Sequence, residues 1–174
     1  MQISEQQFQV IRAVGFVLAF GGALALQRWL PHAHERGSWR VNGGLWLVNG
    51  IVVGLVCGGC ACATSNWAAA HGLGLFNVTA VPAWIAALLS LAILDLVSYG
   101  WHRANHRLAF LWRFHRVHHS DRSFTVTTAI RFHPGELLLS LPVRLTAVVL
   151  FGVPIIGVLA FELVKMPPMI TFQS

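Results

Sequence analysis

The chain has 174 residues, of which 56% are hydrophobic and only 10% charged, against roughly 25% charged in a soluble domain. With a mean hydropathy of +0.65 and several apolar runs near the ~20 residues that cross a bilayer, this composition excludes an ordinary soluble domain. The net charge of +6 does not indicate a nucleic-acid partner, because the cations sit at the ends of apolar segments and in two polar stretches, as they do where charge orients a membrane protein.

Residues 1–9 are polar and read as a short exposed lead. An apolar segment follows over 10–26, with Arg12 near its start and able to extend toward head groups. It lacks a small-residue cleavage pattern and is read as a retained span rather than a signal peptide. The loop 27–44 carries Arg28, Pro31, His32, His34, Glu35, Arg36 and Arg40. His32 and His34 have no partner at helical spacing and read as surface-loop histidines.

The second span is placed at 45–64. Its cysteines, Cys57, Cys60 and Cys62, have no other ligand type between them and read as small packing residues. The connection 65–81 has no Lys or Arg, and its His71 reads as a loop or interfacial histidine. Pro82 opens the third span, 83–100, since Pro suits the start of a helix. Beyond a polar island, 136–164 is apolar but interrupted by Pro142, Arg144 and Pro154. Its length fits either one kinked span or a helical hairpin. The expected fold is therefore an all-α polytopic membrane bundle of about three to five membrane helices. Residues 1–82 carry the N-terminal spans and 83–174 the histidine-bearing part. Arginines crowd the first loop and the island but are absent from the connection between them, which puts the island on the cytoplasmic side as a helical cap.

That island, Asp95 to Glu136, holds six of the nine histidines. His102 and His106 are four apart, so a helix stacks them on one face where they can share a metal ion. His115, His118 and His119 stand at i, i+3 and i+4 and define a second such face. Asp95 is seven residues before His102, on the same stripe. A carboxylate within a lipid span is costly unless it has a use, and here it can fix the tautomer of a ligating imidazole. Tyr99 lies on that stripe too. His133, in Arg131-Phe132-His133-Pro134, either completes the site or anchors the turn before the proline. Imidazoles without thiolates suit iron or zinc, and two clusters imply two metals.

The run Asp95…Tyr99-Gly-Trp-His102-Arg103…His106, the run Leu111-Trp112-Arg113-Phe114-His115-Arg116-Val117-His118-His119-Ser120-Asp121, and Arg131-Phe132-His133-Pro134-x-Glu136 together resemble the fatty acid hydroxylase (sterol desaturase) superfamily. The resemblance is dense in the island and weaker toward residues 83 and 173. It implies an integral membrane enzyme that uses O₂ and two electrons to hydroxylate or desaturate a sterol or fatty acyl C–H bond. It also implies a di-iron centre (with zinc possible in purified protein), a membrane lipid as substrate, and a reductase, ferredoxin or b-type cytochrome as electron donor. His102, His106, His115, His118 and His119 map onto the first two histidine boxes of that pattern. The pattern continues past a Phe-Gln pair into another His-x-x-His-His, whereas here Phe172-Gln173 is followed by Ser174. The chain is therefore expected to be the N-terminal part of a longer protein.

Two rivals are distinguishable from the residues. A non-catalytic membrane metal-binding protein, sensor or transporter, predicts ionisable groups deep in several spans, and only Asp95 and Arg144 qualify. A b-type haem protein predicts facing histidines on separate spans, which the sequence lacks.

Overall fold

The computed structural model describes residues 4–29, 38–57, 59–79, 81–121 and 125–171, with side chains for all of these except 55–57 and 165–171. His32 and His34, the Cys57 side chain and the terminal Phe172-Gln173-Ser174 lie outside the described residues. Among the described residues eight α-helices follow one another: α1 (Glu5–Trp29), α2 (Trp39–Cys57), α3 (Cys60–Ala70), α4 (Leu75–Val78), α5 (Ala83–Arg107), α6 (Ala109–His115), α7 (Pro134–Phe151) and α8 (Ile155–Thr171). Two 3-10 turns, His118–Ser120 and Val126–Ile130, lie between α6 and α7, and no strand occurs among the described residues. Three of the helices, α1, α5 and α7, are long and apolar enough to cross a membrane. This is the all-α membrane bundle that the composition requires.

Local chemistry sets the boundaries. The polar lead is shorter than the sequence suggested, because α1 starts at Glu5. Ser4 Oγ accepts from the Gln7 amide (3.1 Å) while Gln7 Oε1 accepts from the Ser4 amide (3.0 Å), a reciprocal cap that satisfies two otherwise orphaned donors. The span placed at 45–64 is two helices rather than one. The chain breaks at Gly59, which takes φ 79°, a left-handed conformation that ends a helix and suits glycine. The connection 65–81 is likewise partly helical, since α3 runs on to Ala70 and α4 follows.

The apolar stretch 136–164 resolves into two helices, α7 and α8. The Gly152 amide bonds to the Val149 carbonyl (3.2 Å) and the Val153 amide to that of Val148 (3.0 Å). That pair of bonds, with Gly152 at φ 65° and Pro154 beyond it, is the helix-ending motif glycine favours. The end of α3 repeats it: the Gly72 amide bonds to Ala69 (3.2 Å) and the Leu73 amide to Ala68 (2.8 Å). The two turns meet so closely that a Cβ on Gly74 would overlap the Gly152 backbone, and Ser65 Oγ donates to the Val153 carbonyl (2.7 Å).

The apolar core lies where α1, α3, α5, α7 and α8 converge. It contains Phe8, Cys62, Leu94, Val148, Val153 and Phe161. Cys62 is buried there and Cys60 half-buried, as packing residues should be. His71 is exposed on the same side, its Nδ1 2.9 Å from the Trp67 carbonyl. The opposite end of the bundle is polar. There Asn42 of α2 donates to Asp121 Oδ2 and to Thr127 Oγ1 (both 2.9 Å). Asn49 donates to the Phe132 carbonyl (2.9 Å) and Gln27 Oε1 accepts from the Val126 amide (2.8 Å). Each bond holds part of the segment 117–133 against the two N-terminal helices, and this end carries the histidines.

Candidate metal centre

α5 is continuous through Arg107, so His102 and His106 stand one turn apart on one face, with their Nε2 atoms 3.1 Å from each other. Leu108 is extended (φ −97°, ψ 115°), and this single non-helical residue turns the chain into α6, which ends at His115. The turn after α6 brings His119 back, with its Nε2 3.2 Å from that of His115. The ligand atoms of His102, His106, His115 and His119 all lie within 4.8 Å of one another. Four nitrogens bound tetrahedrally at 2.0–2.1 Å are spaced about 3.3 Å apart, so the two short contacts match the edges of such a site. The donor set is of the kind that holds a single metal ion.

Hydrogen bonds fix which nitrogen faces inward. His115, 1% exposed, donates from Nδ1 to Glu136 Oε1 at 2.8 Å. Asn105 Nδ2 donates to the same oxygen at 3.2 Å. The His115 proton is thereby held on Nδ1, and Nε2 presents a lone pair to the cluster. Glu136 Oε2 and Asn105 Oδ1 are buried and make no hydrogen bond among the described residues. Trp112, 37% exposed, lies against His106 (5.3 Å between centroids) and His119 (5.8 Å), and screens the cluster from one side.

His118 is buried beside the cluster but turned differently. Its Nδ1 donates to the Arg131 carbonyl (3.2 Å) and its ring stacks on Phe132 at 4.7 Å. Its centroid is 5.2 Å from that of His119 and 5.7 Å from that of His115. Burial pushes the His118 imidazole down to about 4 from its ordinary 6.5, because a charged ring loses its hydration there. Burial also lowers His119, as do its neighbours His115 and His106. Burial thus favours the neutral form of both rings, the form in which an imidazole binds a metal. In the unfolded chain His118 takes a proton near 6.5 and in the folded chain only near 4. Its contribution to stability is therefore complete above pH 6.5 and is lost as the pH falls toward 4. At pH 5 the expected loss is about 2 kcal/mol. Chemical denaturation of the metal-free protein at pH 7 and pH 5 measures it, and His118→Gln should remove that part of the acid sensitivity.

The remaining site residues fall elsewhere. His133 is outside the four-histidine group: its Nδ1 accepts from the Gly135 amide (3.0 Å) and caps α7, with its ring on Phe114 (5.1 Å). His133→Ala should lower stability by about 1 kcal/mol, as loss of a cap does, and leave the metal content measured by mass spectrometry unchanged. Tyr99 is exposed and accepts from Arg103 Nη1 (3.1 Å). Asp95 is exposed on α5, and Glu136 accepts from a site imidazole. Arg131 organises the turn: it donates to the Val117 carbonyl (2.9 Å), Asn42 Oδ1 (3.0 Å) and Ser120 Oγ (2.8 Å). Glu136, Asn105, Asn42 and Arg131 gave no periodic signal of their own, although polar residues in apolar segments are a cue to a buried partner.

No solved structure matches the chain. A family model, fatty acid hydroxylase, matches residues 87–171. This segment contains all four clustered histidines, His118, His133 and Glu136. Over residues 87–171 the chain is similar to the fatty acid hydroxylase family.

Proposed function

We propose that this protein is a membrane-bound, O₂-dependent oxidoreductase that hydroxylates or desaturates a C–H bond of a lipid, either a sterol or a fatty acyl chain. The observation that carries the reading is the convergence of His102, His106, His115 and His119 within 4.8 Å in a segment similar to that family, at one end of an apolar bundle. Iron is the metal we assign, as a pair. The four clustered imidazoles provide for one ion, and His118, whose Nε2 makes no described hydrogen bond, is available to the other. Bound iron supplies what no side chain can, the activation of O₂ for oxidation of an unactivated C–H bond.

The chain's own residues hold and orient. Glu136 keeps the His115 proton on Nδ1, Trp112 screens the cluster, and the apolar helices admit a lipid laterally. The arginine distribution supports the cytoplasmic side for the histidines, in a bacterial inner membrane or the endoplasmic reticulum. A reductase, ferredoxin or b-type cytochrome on that side would supply electrons, and the exposed Arg107, Arg113 and Arg116 favour an acidic one.

One feature favours a second reading. Four imidazoles around one ion leave no open coordination position, as in metal sites that do no chemistry, which suits a non-catalytic metal-binding membrane protein. Iron loading of the purified protein, followed by incubation with a reducing system, O₂ and membrane lipids, separates the two. Mass spectrometry should find a lipid heavier by one oxygen or lighter by two hydrogens. Retention of one metal per chain with every lipid unchanged would establish the second reading.

A further inference from the structure

Three charged side chains within the apolar helices lie far from the histidines and meet each other. Arg12 of α1 places Nε 3.5 Å from Glu162 Oε2, and Arg144 of α7 places Nη1 3.4 Å from Glu162 Oε1. Each residue is seven positions from a helix end at the same face of the bundle: 5 to 12 in α1, 144 to 151 in α7 and 155 to 162 in α8. At a 1.5 Å rise the three form one layer about 10 Å in from those ends.

The polar residues Glu5, Gln6 and Gln7 open α1, so the apolar part begins near Phe8 and Arg12 is one turn below it. A long arginine side chain extends that far to the head groups. The carboxylate is turned inward, with 12% of its side chain exposed, while Arg12 and Arg144 are 42% and 37% exposed to the outside of the bundle. One carboxylate is thus shared by two guanidinium groups, which leaves one positive charge in excess. Each guanidinium carries five N–H donors, and Glu162 is the acid that either meets among the described residues. Donors facing hydrocarbon without oxygen partners are costly.

We propose that Arg12, Arg144 and Glu162 form a binding site for the phosphate of an anionic phospholipid, in the leaflet at the end of the bundle away from the histidines. The two arginines grip the phosphate oxygens, and Glu162 holds them in place while weakening the hold by its own charge.

Native mass spectrometry of the intact protein in detergent, with equal phosphatidylglycerol and phosphatidylcholine of matched chains, tests this. One net positive charge at the membrane surface corresponds to about a fivefold preference for the anionic lipid. The double variant Arg12→Gln/Arg144→Gln, which keeps only the carboxylate, should lose the preference for the anionic lipid. Glu162→Gln should raise the preference by about a further fivefold, because the competing carboxylate is gone. Excess inorganic phosphate should leave the lipid bound. The proposal is overturned by any of three results: no preference in the unaltered protein, a preference that survives the double substitution, or displacement by free phosphate. It is overturned as well if Glu162→Gln lowers the preference or leaves it unchanged, since a triad that only clamps helices would lose stability there without gaining lipid. The two variants change charge in opposite directions, so failure of one to fold leaves the other decisive.

Discussion

Replacing His102 and His106 together with alanine should strip the protein of its metal while its helices remain. Both side chains are exposed at the end of α5 and alanine is the best helix former, so the backbone that carries them has no reason to change. The ion, however, loses two of the four nitrogens that converge on it. Changing a residue that merely supports a ligand costs roughly 10–100-fold in metal affinity, and removing two ligands should cost far more. Elemental analysis of the purified variant is expected to find less than about a tenth of the metal of the unaltered protein, with helical circular dichroism unchanged. Undiminished metal would mean that the ion sits elsewhere, on a group that does not include this pair.

Glu136→Ala should damage both metal affinity and folding, in a proportion that can be read. The carboxylate is 5% exposed and serves both His115 Nδ1 and Asn105 Nδ2 through one oxygen. Its removal leaves two buried donors unpaired, at about 1–3 kcal/mol each when no water replaces it. It also frees the His115 ring to flip or change tautomer, which should weaken metal binding by roughly 10–100-fold. Glu136 has a second position of influence, in the first turn of α7, where a negative charge stabilises the helix by about 0.3–1 kcal/mol. Glu136→Gln separates these effects, since an amide oxygen still accepts from His115 but carries no charge. Its metal affinity, measured by competition with a chelator, should lie between the other two proteins. If it matched Glu136→Ala, charge rather than hydrogen bonding would be what His115 needs.

The parts of this site that sequence periodicity reveals are those confined to one stretch of helix. His102 and His106 share a face because α5 is regular through both, and His115 and His119 meet across a single turn. His118 departs from the pattern because the helix ends at His115, and the following turn aims the ring at the Arg131 carbonyl. Helical spacing points to Asp95 because spacing relates only residues on the same helix. Glu136 reaches His115 through a contact between α6 and α7, twenty-one positions away, which no periodicity encodes. His133 carried a local signal for its role: a residue before proline is extended, proline suits the first turn and glutamate the third position, so His-Pro-x-Glu reads as a helix start. The broken span at 45–64 had its cue as well. Gly59 sits in a run apolar enough to cross, and hydropathy alone does not register that the backbone there turns left-handed.

The asparagines of α2 bear on how this protein can be divided. Asn42 and Asn49 come from a part of the chain before residue 87, yet they bind Asp121, Thr127, Arg131 and the Phe132 carbonyl, the residues that shape the turn around His118. If α2 is taken away, these largely buried polar atoms lose the partners that satisfy them. The limits of the family resemblance are therefore not the limits of a folding unit. An excised 87–171 would keep every clustered histidine and lose the scaffold against which their turn is set. Grafts or truncations that respect sequence similarity alone would cut through the support of the site, and a working minimal fragment has to begin upstream of Asn42.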